Sequence, residues 1–299
     1  MKHIQSATFI DYALLLLLST MWASAFVGIE FALTGFDPFF IAFLRIFFAS
    51  LFLLCVVYIK RLSFPRDLKT WSMLLLIGVL NNAMPFYLIS WGQQYISAGT
   101  SAVMLAMGPF VALIVSHIIT EDEKITFFKV VGVLLGFVGV FILVGDDFLK
   151  GNENSLYGKI ALIIAVMGYI SSGFLIRMMS HVHTVVCSTS MFTTAWLVMA
   201  PFLFFIEYKS FEIFSYPFLT IVYLALVPTA LASLMRINLV RKTGVQFMSQ
   251  VSYLIPICTI FMAWLFFDET PPLVVYTAMA FIFAGLFIRK LTFPTLFKR

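Results

Sequence analysis

The sequence predicts an all-α integral membrane protein: ten transmembrane helices arranged as two inverted five-helix repeats. Composition, a succession of long apolar segments and a spacing pattern that recurs halfway along the chain carry this expectation. Of 299 residues, 62% are hydrophobic and 11% charged, against roughly 25% charged in soluble domains. A soluble core of this size could not hide so much apolar surface, so lipid must be the solvent for much of it. Helices satisfy every backbone amide without water. Barrel strands would alternate over about ten residues, and these runs do not.

The spans read 12–34, 37–59, 71–93, 98–119, 126–145, 157–179, 184–206, 217–239, 245–267 and 272–290. In the first, Lys2, an apolar run and Ala23-Ser24-Ala25 resemble a cleavable leader. The run continues to Leu33, which is long enough to cross. The second is apolar apart from Arg45. The third carries Asn81, Asn82 and Pro85, then Tyr87 and Trp91 four residues apart on one face. A short turn with Gln93, Gln94 and Ser97 leads to the fourth, which holds Ser101 and Pro109. Gly132, Gly136 and Gly139 allow close packing of the fifth.

The longest connection, Asp146 to Tyr157, divides the chain into 1–146, a linker loop at 147–156, and 157–299. The sixth span contains Tyr169, Ser171 and Ser172 and ends at Arg177. His181 and His183 follow it without metal partners and read as solvated. The eighth holds Pro228, Thr229, Arg236 and Asn238, the ninth Gln250, Ser252, Tyr253 and Pro256, and the tenth Gly285. Pro85, Pro109, Pro228 and Pro256 each remove a backbone donor, and such breaks cluster near midplane sites and hinges.

With the N-terminus in the cytoplasm, fourteen Lys and Arg fall on inner ends and loops and three, Lys150, Lys159 and Lys209, outside. That bias puts both termini inside. It also explains the net charge of +5 better than nucleic-acid binding, because the basic residues are spread over short loops. Five spans per half give the halves opposite orientations. The spacing agrees. Pro109 and Pro256 are 147 residues apart, and both Glu123/Glu269 and Gly139/Gly285 are 146 apart. The three cysteines, Cys55, Cys187 and Cys258, lie in apolar segments without CxxC or metal spacing.

Glu30 and Arg45 sit inside apolar spans, where a charge costs at least about 2.5–3.5 kcal/mol on insertion scales. Their depths permit a salt bridge across the first helical hairpin. A register-fixing pair, a gate or binding group, and snorkelling all remain open for them. Arg236, with Arg241 and Lys242, reads equally as an inner anchor. The 35 phenylalanines read mainly as lipid-facing or gap-filling.

These residues resemble the drug/metabolite transporter superfamily, and within it the EamA-type permeases. The resemblance rests on Trp22-Ala23-Ser24-Ala25-Phe26, Arg45, Ser97-Ala98-Gly99 with Pro109, Thr229-Ala230-Leu231-Ala232, and Tyr253-Leu254-Ile255-Pro256 followed by Asp268-Glu269. The chain departs at Glu30, where relatives often carry a basic residue, at Glu121-Asp122-Glu123, and at Arg236. The resemblance implies a secondary transporter in a bacterial inner membrane, moving an amino acid or derivative, commonly by export. Drugs, vitamins and nucleotide-like solutes are the alternatives.

No phosphate-binding GxxxxGK[ST] loop is present, so ATP is not the direct driving force. No cofactor or metal is expected. The expected partners are a small-molecule substrate, the lipid bilayer and a proton or exchanged solute. The expected lining is Trp22, Asn82, Tyr87, Trp91, Gln250 and Tyr253, with Glu30 and Arg45 as gate or coupling pair and Glu30 as the intramembrane proton carrier. An integral membrane enzyme on lipid-linked substrates would need a cluster of acid and base groups. Glu121-Asp122-Glu123 is the candidate, and it lacks a nearby histidine or second carboxylate group.

Overall fold

The computed structural model describes residues 7–111, 127–179, 181–206, 214–243 and 251–288, with the backbone alone of 129, 146–150, 177, 237, 240, 241, 252 and 253. Ten helical segments follow in order: α1 (Phe9–Leu33), α2 (Pro38–Ile59), α3 (Leu68–Gly92), α4 (Ala98–Val111), α5 (Phe127–Lys150), α6 (Glu153–Met178), α7 (Thr184–Phe205), α8 (216–243), α9 (Val251–Phe267) and α10 (Leu273–Ile288). Six are long and apolar enough to cross a bilayer, and the apolar parts of α4, α5, α9 and α10 are shorter. The described residues contain no strand.

Side-chain caps fix most starts. Thr8 donates from its backbone N and Oγ1 to Asp11 Oδ2 at 2.8 and 2.7 Å. Asp37 caps α2 ahead of Pro38, Asp67 takes the Thr70 amide at 2.7 Å, and Ser97 takes the Thr100 amide at 3.2 Å. His183, exposed, accepts from the Val185 amide at the start of α7. These caps satisfy amides that a helix start leaves without partners. α1 runs unbroken through Ala23-Ser24-Ala25.

The linker loop expected at 147–156 is helical at both its ends. α5 extends to Lys150 and α6 begins at Glu153, leaving Gly151 and Asn152 as the joint. Gly151 has φ 64°, a left-handed conformation open to glycine at little cost. Asn152 caps α6 by accepting from the Ser155 amide. Buried Lys159 reaches back to the Leu143 carbonyl at 2.6 Å and ties the two helices together. Polar residues there read as loop, but they form the solvated ends of two helices.

The packing repeats between the halves. α1 packs on α8 and α9, and its counterpart α6 packs on α3 and α4. α2 packs on its own counterpart α7, and α5 on α10. At the last contact, a Cβ added at Gly139 would lie 2.7 Å from the Ala278 carbonyl oxygen, and one added at Gly285 would meet the Gly132 carbonyl oxygen. Gly132 and Ala278 are themselves 146 residues apart. The contacts are therefore reciprocal, as an approximate two-fold axis between α5 and α10 requires.

The largest apolar cluster joins residues of both halves, among them Phe26, Ile29, Phe110, Leu162, Leu224 and Ile282. A second gathers α2 and α7 around Ile46, Phe86, Phe192 and Ala225. Phe137, Phe141, Phe261 and Phe287 are exposed, as lipid-facing rings should be in a bilayer-embedded bundle. All three cysteines are free, Cys187 buried and Cys55 exposed.

Candidate functional site

Two helices contain a π-helical segment. In α3 the segment Val79–Ala83 is π-helical, and in α8 the segment Leu226–Leu231 is. Val79 and Leu226 are 147 residues apart, the offset of Pro109 and Pro256. Each widened turn adds a residue to the helix, a device frequent at functional sites. Pro85 follows the first segment and Pro228 lies in the second. Asn82 and Thr229 occupy the same register position in the two segments, and both are buried.

Proline 228 has no amide to offer the carbonyl of Leu224, four residues back. The Thr229 hydroxyl donates to that carbonyl at 2.8 Å. Buried Arg45, from the other half, donates from Nε to the same hydroxyl at 2.7 Å. Its guanidinium lies 4.1 Å above the Phe86 ring, a cation–π contact worth about 2 kcal/mol or more when desolvated. Asn82, four residues before Phe86, shares that face of α3.

Asn81 Nδ2 donates to Asn82 Oδ1 at 3.1 Å, and Ser172 Oγ donates to Asn81 Oδ1 at 3.0 Å. Asn82 Nδ2 is buried without a partner. Tyr169, one turn before Ser172, lies within electrostatic reach of the Arg45 and Arg236 guanidiniums. Arg236 is exposed.

The salt bridge that the depths of Glu30 and Arg45 permit does not form. Arg45 turns to Thr229 and Phe86. Glu30 turns to the start of α4, where the Ala98 amide faces its carboxylate, and toward Glu269. Glu30 Oε2 and Glu269 Oε2 are both buried without a hydrogen-bond partner. Glu269 is placed by the end of α9, where Asp268 takes φ 53° and the Glu269 amide reaches back to the Ala263 carbonyl at 3.3 Å. Aspartate tolerates this left-handed helix stop better than most residues. Gln93 closes the same region, donating from Nε2 to the Phe26 carbonyl on α1 at 2.9 Å.

The other expected lining residues scatter. Tyr87 meets Phe39 edge-on at 5.7 Å and packs in the α2–α7 cluster beside Phe86. Trp91 meets Tyr95 at 5.0 Å, at the end of α3. Trp22 packs with Val227, Met235 and Leu254 in a separate cluster. Gln250 lies outside the described residues, and the side chain of Tyr253 does too. Pro109 follows a turn at Ala106–Met107 in α4. Pro256, expected to interrupt its span, sits inside the continuous helix α9. A single missing donor does not break a helix held by packing on α1 and α4. Sequence reasoning missed Phe86 as the platform of Arg45, and Tyr169 gave no sign of lying within electrostatic reach of two guanidiniums. The 147-residue offset could have found Thr229 from Asn82.

The family comparison decides what kind of protein carries this site. The EamA-like transporter family model matches residues 10–145 and again 156–289. The chain is a member of the EamA-like transporter family. It is similar to the uncharacterized transporter YdfC of Bacillus subtilis (strain 168), 25% identical over 258 residues, covering 85% of this chain and 82% of that protein. YoaV of the same organism, also an uncharacterized transporter, is 20% identical over 281 residues, covering 91% and 94%. A solved crystal structure shares the fold at 17% identity, with a TM-score of 0.67 over 96% of this chain and 98% of that one. This EamA-like chain is thus a multi-pass membrane transporter, and a transporter rather than an enzyme. The Arg45–Thr229 contact joins the two matched repeats of an EamA-like transporter at the π-helical segment of α8.

Proposed function

We propose that this EamA-like transporter is a secondary transporter that exports an amino acid or amino-acid derivative by alternating access. Its halves, 1–146 and 157–299, rock about the site between the π-helical segments. The observation that carries this reading is the hydrogen bond from Arg45 of one half to Thr229 in the bent helix of the other. A bond across the seam, at a place where α8 is already widened, can be exchanged for a substrate contact as the halves move. The protein sits in a bacterial inner membrane with both termini cytoplasmic, following the lysine and arginine bias. Trp22 and Tyr87 line the path with Asn82. Trp91 stands toward its end.

Glu30 carries the coupled proton. Its carboxylate is half-buried, one oxygen lacks a partner, and Glu269 stands near it. The test is uptake into proteoliposomes from a metabolite panel of amino acids, drugs, vitamins and nucleotides, with and without a pH gradient. Amino acids are expected to accumulate faster with the gradient, and Glu30→Gln to abolish that stimulation in folded protein. Flux that ignores the gradient would remove proton coupling. A preference for another solute class would replace the amino-acid reading. Labels at Lys69 and Arg299 are expected to react from the same side of the membrane, and opposite sides would overturn the topology.

A further inference from the structure

We propose that the central site binds an anionic group of the cargo, a carboxylate or a phosphate, on Arg45, with Arg236 supplying a second positive charge. The inference rests on the transport reading above and names the chemistry of its substrate. It follows from counting donors and acceptors. Arg45, held over the Phe86 ring, and Arg236 both lie within electrostatic reach of one phenol, that of Tyr169. Neither forms an ion pair among the described residues. The described carboxylates stand elsewhere. Asp37 and Asp67 cap helices, Glu153 opens α6, Asp11 pairs with Lys242 at 2.8 Å, Asp268 follows α9, and Glu30 and Glu269 gather at the far ends of α1 and α9.

The neutral groups nearby already accept hydrogen bonds. Thr229 accepts from Arg45 and gives its proton to Leu224. Asn82 Oδ1 accepts from Asn81, and the single proton of Ser172 is shared between Asn81 Oδ1 and the Tyr169 carbonyl. What remains is a donor, Asn82 Nδ2, buried and without a partner. A buried charge is ordinarily paired, and an unmade buried hydrogen bond is costly. A ligand oxygen bearing negative charge answers both, and guanidinium is the side chain best shaped to hold carboxylate or phosphate.

The test uses the full chain in proteoliposomes loaded with an equimolar mixture. It contains the twenty amino acids, the same amino acids as carboxamides, and the phosphomonoesters phosphoserine, phosphothreonine and glycerol phosphate. Release is followed by mass spectrometry. Losing a charge-assisted hydrogen bond corresponds to about tenfold, so at least one acid should leave about tenfold faster than its carboxamide. Faster release of acids assigns the anion to a carboxylate, and faster release of phosphomonoesters assigns it to a phosphate. Arg45→Gln should bring the acid and amide rates to within about twofold. Arg45→Lys should keep part of the preference, and Arg236→Gln should weaken it. A purely structural arginine would lower both rates together and leave their ratio alone. Equal rates for acids and carboxamides in the unaltered protein, or a ratio that neither glutamine variant moves, overturn the proposal while leaving transport standing. Release of nothing from the mixture would instead overturn the transport reading along with it.

Discussion

Arg45 and the hydroxyl of Thr229 are joined at 2.7 Å across the seam between the two repeats, and the hydroxyl donates its own hydrogen bond to the Leu224 carbonyl. The second link exists because Pro228 cannot supply an amide to that carbonyl. One side chain thus repairs a helix and holds the opposite half at the same time. Thr229→Val keeps the shape and removes both links. It is expected to cost about 1–3 kcal/mol, read as a lower midpoint of thermal unfolding in detergent. Thr229→Ser should restore most of it, and a Thr229→Val protein as stable as the unaltered one would show that the links are idle.

Glu30 and Arg45 share no partner, so their substitutions should act independently. The transport losses of Glu30→Gln and Arg45→Gln, expressed as free energies, are expected to add to within about 0.5 kcal/mol in the double variant. A coupling well above that value would mean the two side chains meet during the cycle.

The reciprocal glycines of α5 and α10 leave no room for a side chain. A Cβ at Gly285 would press on the Gly132 carbonyl and lie 3.1 Å from the Gly136 amide, and backbone atoms yield less readily than a flexible side chain. Gly139→Val and Gly285→Val are each expected to destabilise by about 1–3 kcal/mol through overpacking. Gly173→Ala, with nothing within 4 Å of its added carbon, serves as the control and should melt as the parent does.

Asp67, outside the membrane-spanning helices, has its carboxyl held below the usual range by hydrogen bonds from Thr70, with His181 adding attraction. A depressed pKa contributes stability that is present above the unfolded value of about 3.9 and is lost as pH falls through the folded value. Asp67→Asn can still accept from Thr70 but carries no charge. The stability difference between the two proteins is expected to be full near neutral pH and to shrink as acid protonates Asp67. A difference that is flat with pH would remove the charge from the cap.

The helix count and the two-fold relation were legible because apolar length and residue offsets are properties of the chain itself. Asn82, Arg45 and Pro85 were legible too, since polar groups and prolines stand out in greasy segments. The partner of Arg45 was not. Residues 15 positions apart on a hairpin look paired on depth alone, but rotation about each helix axis decides which face a side chain takes. That rotation placed Arg45 toward Thr229, 184 residues away, and Glu30 toward Ala98 and Glu269. Phe86 was hidden among 35 phenylalanines, where only a neighbouring charge distinguishes one ring from another. The joint at Gly151 was misread as part of a longer loop because polar composition marks contact with water, which helix ends share with loops.

That joint has a further implication. Two copies of a repeat protein can exchange halves only if the connection between them opens out. Straightening the turn at Gly151–Asn152 would continue α5 into α6 as a single rod. The 26 residues of α6 would then project about 39 Å beyond the bilayer, stripping lipid from an apolar surface. The membrane therefore blocks the route to swapped dimers, and each polypeptide must find its inverted mate within itself.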